Sequence, residues 1–404
     1  MIATKQQTIP KGWGSAKLGD LCSFEDGLKV RTSSNDDYLE IGDVDIFNKK
    51  YNVAGKDKKT IKGAVRVGKN ILLISKVRPT RGAITITNSE INISPAFCRL
   101  NIPNKFFYYI VSQDQFLNYL GSQSKGSTYP TCKDDDILGY DLIYPIDSTE
   151  QRKIADILST IDDEIQKTDQ IIFQTENLKN EISQHLFTKG IGHDKFQKTK
   201  IGDIPKDWSF LKMKDVCTVR QGLQIPISKR FKDAGENRYK YITLKNLKDD
   251  TYEYIESPKE SVICKRDDVL MTRTGNTGVV VTDVEGVFHN NFFLIDFDRK
   301  IIDKNYLVYY LRSEPIKKLL LERAGTTTIP DLNHGAFYGI HFLLPDITEQ
   351  KKISDILSSI DNKISFNKEV REKLTKLKRG LMSDLLSRKV FSTSFLHGTH
   401  LKVA

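Results

Sequence analysis

Cysteine is scarce in this chain of 404 residues. Cys22, Cys98, Cys132, Cys217 and Cys264 are scattered with no Cys-x-x-Cys pair. An odd, sparse set argues against a disulfide framework and a cysteine zinc site, and fits reduced thiols in a cytoplasmic protein. Long apolar runs are missing too. The longest, such as Ile71–Ile74, are strand-sized, far short of the roughly 20 residues of a transmembrane helix. The first ten residues hold no apolar core, so no secretory signal is expected there. The seven histidines are dispersed; His397 and His400 lack carboxylate or cysteine partners nearby, and no metal site is expected. A Walker A loop is also absent: Gly121-Ser-Gln-Ser-Lys125-Gly126 places its lysine before the second glycine, where the phosphate-binding loop needs it after.

What remains is ordinary globular composition, with 39% hydrophobic and 28% charged residues. The length suggests two to three domains at about 150 residues each. A net charge of +10, with an isoelectric point near 9.1, favours an anionic partner without demanding one.

A repeat decides the architecture. Ile9-Pro10-Lys11-Gly12-Trp13 recurs as Ile204-Pro205-Lys206-Asp207-Trp208, a shift of 195 residues that aligns the chain's two tryptophans. The same shift carries Cys22 onto Cys217 and Gly27-Leu28 onto Gly222-Leu223. At a shift of 200, Pro130 meets Pro330 and Gly139 meets Gly339. The strongest match comes last. Glu150-Gln-Arg-Lys-Ile-Ala-Asp-Ile-Leu-Ser-Thr-Ile-Asp-Asp-Glu-Ile165 parallels Glu349-Gln-Lys-Lys-Ile-Ser-Asp-Ile-Leu-Ser-Ser-Ile-Asp-Asn-Lys-Ile364, with 11 of 16 positions identical. The ends of the two repeats match while their middles diverge, so the ends share a task and the middles do not.

Each middle holds short β-branched runs punctuated by Gly, Pro and Asn, which predict strands and turns: Asn70–Ile74, Ala83–Thr87, Val269–Thr272 and Gly278–Thr282. A helix is expected near Lys105–Leu120 and again near Lys304–Arg323. The fold class is α+β. The repeat ends read as long helices. Their apolar seams run Ile154, Leu158, Ile161, Ile165 and Ile353, Leu357, Ile360, Ile364, alternating by three and four. Asp147 with Glu150, and Asp346 with Glu349, have capping-box spacing. A helix of about 38 residues spans roughly 57 Å and needs a partner along its length. Two such helices in one chain can satisfy each other as an antiparallel coiled coil with an approximate two-fold axis. Homodimerisation through one helix is the alternative.

Two diverged globular parts, each followed by a long helix opening Thr-Glu-Gln-Arg/Lys-Lys-Ile-Ala/Ser-Asp-Ile-Leu-Ser-x-Ile-Asp, resemble the specificity subunit of type I restriction-modification enzymes. The resemblance covers nearly the whole chain, including the Ile-Pro-Lys-x-Trp openings and the turns ending at Pro130 and Pro330. It implies a target recognition domain over 1–146, a central spacer helix over 147–190, a second recognition domain over 191–345, a distal helix over 346–388 and a tail over 389–404. It also implies that each recognition domain reads one half of a split, asymmetric double-stranded DNA site. The helices would hold the domains apart and dock two methyltransferase subunits. Those partners, not this chain, would bind S-adenosylmethionine, and motor-nuclease subunits would complete the enzyme.

DNA contacts call for cations, hydroxyls and amides on exposed loops. The first repeat offers Lys76, Arg78 and Arg81 after a predicted strand, and Lys125, Ser127, Thr128 and Tyr129 after a helix. The second offers Arg273, Asn276 and Thr277, then Arg323, Thr326, Thr327 and Thr328, at equivalent places, with Gln221, Lys229 and Arg230 on a further basic loop. The charge excess is expected to sit mainly on these loops.

No catalytic residues are expected. The Asn-Pro-Pro-Tyr/Phe tetrapeptide of adenine methyltransferases is missing. Pro345-Asp346…Glu349-Gln-Lys351 is too compressed for a nuclease motif, and a helix cap already explains it. The rival reading is a coiled-coil scaffold for proteins, which would have no use for paired basic, hydroxyl-rich loops.

Overall fold

The computed structural model describes residues 9–32, 38–53, 61–325 and 330–387, with only the backbone at 31, 32, 61, 62 and 387. The tail expected over 389–404 lies outside the described residues. The protein is mixed α+β and divides into two compact units. Unit 1 runs to Thr168 and takes in the distal helix from Val370; unit 2 is Asp169–Glu369.

In unit 1 a four-stranded sheet runs Ser23–Phe24, Phe97–Asn101, Ile71–Ser75, Ile84–Ile86. Every residue of Ile71–Ser75 is buried. The strand's two-residue period explains this. Leu72 and Ile74 face a core shared with helices, while Ile71 and Leu73 face a second core formed with Val65, Val67 and Ile93. The apolar run is therefore a strand sandwiched on both faces. A second sheet is formed by Leu28–Thr32, Ile61–Val67, Ile91–Ile93 and Tyr38–Leu39.

Unit 2 repeats the plan. Cys217–Gln221, Phe292–Phe297, Val269–Thr272 and Val280–Val281 form the first sheet. Val269 and Met271 face one core and Leu270 the other. A strand pair closes each unit: Trp13–Lys17 with Asp141–Pro145, and Ser209–Lys212 with His341–Leu344. Unit 2 also carries a hairpin, Phe196–Thr199 with Gly202–Pro205.

The single helices expected near 105–120 and 304–323 are each broken in two. Phe106–Val111 is followed by Asp114–Gln123, and Lys304–Arg312 by Glu314–Ala324. Pro315 explains the second break: without an N–H it suits a helix start, not an interior. At the first, Gln113 is extended, and its neighbour Ser112 turns its hydroxyl back to the Tyr108 carbonyl at 2.7 Å.

The long helices run Ser148–Lys189 and Ile347–Ser387. No helix of the described residues is long and apolar enough to cross a membrane. Within unit 1, Ile154, Ala155 and Leu158 pack with Leu385 and Leu386 into the sheet-and-helix core. Within unit 2, Ile353 and Leu357 do the same with Leu186 and Phe187. The seam residues thus serve the globular cores as well as the opposite helix. Ile161 and Ile364 are buried, whereas Ile165 and Ile360 are half-buried.

The helix caps form only partly as expected. Asp147 accepts from the Thr149 amide at 2.8 Å, and Asp346 from the amides of Thr348 and Glu349 at 2.8 and 3.1 Å. These amide bonds hold both carboxyls below the usual range. The reciprocal arm at Glu349 is diverted. Its carboxylate accepts from Trp208 Nε1 at 2.9 Å and the Ile191 amide at 2.8 Å, and bonds His193 Nε2 at 2.9 Å. Three polar partners around one buried acid outcompete a single exposed helix-end amide.

Candidate nucleic-acid interface and its supports

Two loops come together at one end of the buried strand in each unit. In unit 1 the Arg78 amide donates to the Pro130 carbonyl at 2.7 Å and the Cys132 amide to the Lys76 carbonyl at 3.0 Å. In unit 2 the Leu332 amide donates to the Arg273 carbonyl at 2.8 Å, the same bond at the equivalent place. Both strand-following loops start with a cation and end on a glycine with positive φ, Gly82 or Gly278. Both carry a left-handed residue two positions after the cation: Arg78, with φ of 47°, and Gly275, with φ of 83°. The sequence repeat is therefore a repeat of loop framework.

The side chains on that framework differ in role. Lys76 pairs with Asp134 at 2.9 Å and is 20% exposed. Arg273 pairs with Asp331 at 2.9 Å, is 16% exposed and lies over the Phe293 ring. These two cations lock loop to loop. Thr277 is buried, donating its hydroxyl toward the carbonyls of Arg273 and Pro330, both at 3.0 Å. Arg230 pairs with Glu253 at 2.9 Å, donates to the Ile225 carbonyl and stacks over Tyr241.

Other candidates face solvent. Arg81, Lys125, Ser127 and Thr128 are exposed, and Tyr129 is 60% exposed with the Arg78 guanidinium 4.4 Å above its ring. Asn276, Lys229 and Arg323 are exposed. Gln221 is exposed and donates to the Asn290 carbonyl at 3.1 Å. Asn290 in turn donates toward Gln224 at 3.5 Å, and its own Oδ1 is buried without a hydrogen-bond partner. This amide group is of the type that reads adenine edges; sequence reasoning found only Gln221. Thr326, Thr327 and Thr328 lie outside the described residues.

Sequence reading missed a repeated triad where each globular part meets the long helices. In unit 1 the Tyr109 hydroxyl donates to Asp162 at 2.9 Å, and Lys378 pairs with that carboxylate at 2.5 Å. In unit 2 Tyr309 donates to Asp361 at 3.0 Å, and Lys179 pairs with it at 2.6 Å. Each lysine also lies over the tyrosine ring of its triad. Burial, then the neighbouring carboxylate, pushes Tyr109 well up; the same causes push Tyr309 up to about 12. In each unit the triad joins the globular part to both long helices. The signal was present, since all three residues recur at shifts of 199 or 200.

A family model described as the type I restriction modification DNA specificity domain matches residues 10–176 and 205–376. The MjaVIII type I restriction enzyme specificity subunit of Methanocaldococcus jannaschii is 27% identical over 95% of this chain and 94% of its own. In fold, the chain is similar to one from a structure of complex assembly and conformational transition of the type I R-M system, with a TM-score of 0.60 and 17% identity over 94% of this chain and 99% of that one. It is also similar to the S subunit of the type I restriction-modification system of M. genitalium, with a TM-score of 0.57 and 14% identity over 95% and 98%.

Proposed function

The chain belongs to the type I restriction modification DNA specificity family and carries two copies of its domain, and from that premise we propose that it is the non-catalytic subunit that reads double-stranded DNA for a type I complex. Each globular unit reads one half of a bipartite, asymmetric site. The two long helices form an antiparallel, pseudo-two-fold coiled coil that sets the distance between the halves. Half-site centres one helical turn apart lie about 34–36 Å from each other, within the length of such a helix pair. The helices also dock two methyltransferase subunits, which bring S-adenosylmethionine, and motor-nuclease subunits join the full assembly.

The carrying observation is the contrast inside the chain. The triads recur and the helix openings match at 11 of 16 positions, which suits two copies of one partner. The loops share a framework but differ in side chains, which suits two different half-sites. Ile157 and Ile356, at equivalent helix positions, are both exposed, as are Leu178 and Leu377. Repeated exposed apolar residues are the kind of surface a repeated protein partner covers.

Methylation mapping of host DNA with and without this gene tests the reading. A bipartite methyladenine motif that vanishes with the gene is the expected result; an unchanged methylation pattern overturns it. Adding one heptad to both helices should lengthen the spacer in the motif and leave both halves unaltered.

A further inference from the structure

The strand pair that closes each unit is charged differently in the two units. In unit 2, Lys212 and His341 are directly paired across the strands, and the His341 ring stacks on Phe210 with centroids 4.5 Å apart. Arg323 lies over Gly339, so near that a Cβ there would meet its guanidinium at 2.7 Å. Its Nη1 donates to the Ala336 carbonyl at 3.4 Å, leaving most of its fork to solvent. Burial, then the charges of Lys212, Arg323 and Lys200, hold the His341 imidazole below its ordinary pKa.

In unit 1 the matching strand pair sets Lys17 against Asp141. The place over Gly139 is held by the Tyr119 hydroxyl, 3.4 Å from an added Cβ, where unit 2 has the arginine. The short helix after the second loop opens Asp134-Asp135-Asp136 in unit 1 and His334-Gly335-Ala336 in unit 2. Burial and the charges of Asp136 and Asp141 push Tyr119 up, the reverse of the field around His341. One framework therefore sets carboxylates beside Lys17 in unit 1, where unit 2 has no carboxylate at the equivalent places beside Lys212.

We propose that Lys212, Arg323 and His341 form a phosphodiester-binding patch, so that this end of unit 2 grips the DNA backbone, independently of sequence, more than the equivalent end of unit 1. The ligand is the DNA phosphate, held by an exposed lysine and a guanidinium fork, both types that contact backbone oxygens, beside the ring-stacked imidazole. The proposal rests on the DNA-reading function above. It adds that the two halves contribute unequally and names where the inequality lies.

The test is the salt dependence of binding by the full-length chain to a mixed-sequence duplex of about 40 base pairs. Each lost phosphate contact should flatten the log–log salt slope by about one. Lys212→Gln with Arg323→Gln should flatten it by about two and weaken binding roughly tenfold at moderate salt. Lys17→Gln, at the equivalent place in unit 1, should leave the slope unchanged. Asp141→Lys should steepen it and raise affinity, a gain that misfolding cannot produce. If the wild type binds steeply and neither the double variant nor Asp141→Lys moves the slope, the patch is overturned and DNA reading stands. The patch is equally overturned if the double variant instead loses only a co-purifying protein. If the wild type binds no duplex at any salt, both readings fall.

Discussion

The joint and the loops of this protein repeat in different ways. At the joint, Tyr109–Asp162–Lys378 and Tyr309–Asp361–Lys179 are the same three residue types at nearly the same distances. At the loops only the framework repeats. The cation at the strand end is neutralised in both units, but by acids at non-equivalent places: Asp134 lies two residues past Cys132, Asp331 one before Leu332. A joint must hold a tyrosine, a carboxylate and an ammonium in one geometry, so its chemistry is fixed. A loop anchor needs only a nearby opposite charge, so its chemistry drifts while its backbone does not.

The comparison is broken most forcefully at Glu349, a helix-opening residue of unit 2 with three polar partners. Glu349→Ala orphans Trp208 Nε1, the Ile191 amide and His193 around a buried site. Loss of a buried charged partner costs about 3–5 kcal/mol. Glu150, its counterpart, is half-buried, and Glu150→Ala should cost less than about 1 kcal/mol. Urea denaturation measures both, and equal losses would erase the asymmetry. Next in size are Asp162→Ala and Asp361→Ala, each removing one hydroxyl bond and one ion pair, for about 2 kcal/mol. Here the two values should agree within about 0.5 kcal/mol. A wide gap would mean that the triads are alike in form but not in weight.

Smaller again are the loop anchors. Arg273→Ala removes the Asp331 pair, a bond toward the Leu332 carbonyl and a ring contact, and should cost about 1.5 kcal/mol. Lys76→Ala loses the Asp134 pair alone and should cost about 1 kcal/mol. Because both cations are tied to acids, their loss should disturb the neighbouring exposed groups, Asn276 or Arg81, and lower DNA affinity through them. Arg273→Lys keeps the charge but not the fork. If it restores stability without restoring affinity, Arg273 itself touches DNA.

What could be read in advance follows the range of the interactions. Ile71–Ile74, Val269–Thr272 and the long helices were legible because strand and helix periods are local. The loop positions were legible because the repeat carries them. The duties of the loop cations were not: Lys76, Arg230 and Arg273 were read as surface charge, yet each is paired with an acid 23 to 58 residues away. The expected concentration of positive charge on the loops is reduced accordingly. Glu349 was read as half of a capping box because Asp-x-x-Glu is a local pattern. Its true partners are 141 to 158 residues distant and invisible to spacing. The repeat itself held an unused clue, since residues identical at one shift and far apart in sequence are candidates for one joint.

The smallest effect is also the most specific to the triad. Tyr309 donates to Asp361, and its folded pKa stands at about 12 against an ordinary 10. A folded pKa above the unfolded one means that the fold favours the protonated phenol. Its contribution is full below about pH 10 and is lost as the pH rises toward 12, where the phenolate would face a carboxylate. Tyr309→Phe lacks both the bond and its titration. The variant should be less stable by about 1 kcal/mol at neutral pH, with the gap closing between about pH 10 and pH 12. Tyr109→Phe should behave in the same direction, because Tyr109 is also pushed up, first by burial and then by Asp162. Urea melts of both variants across that range decide the matter. A gap that persists above pH 12 would show that the hydroxyl acts by packing alone, and that the two joints are held by their lysine–aspartate pairs.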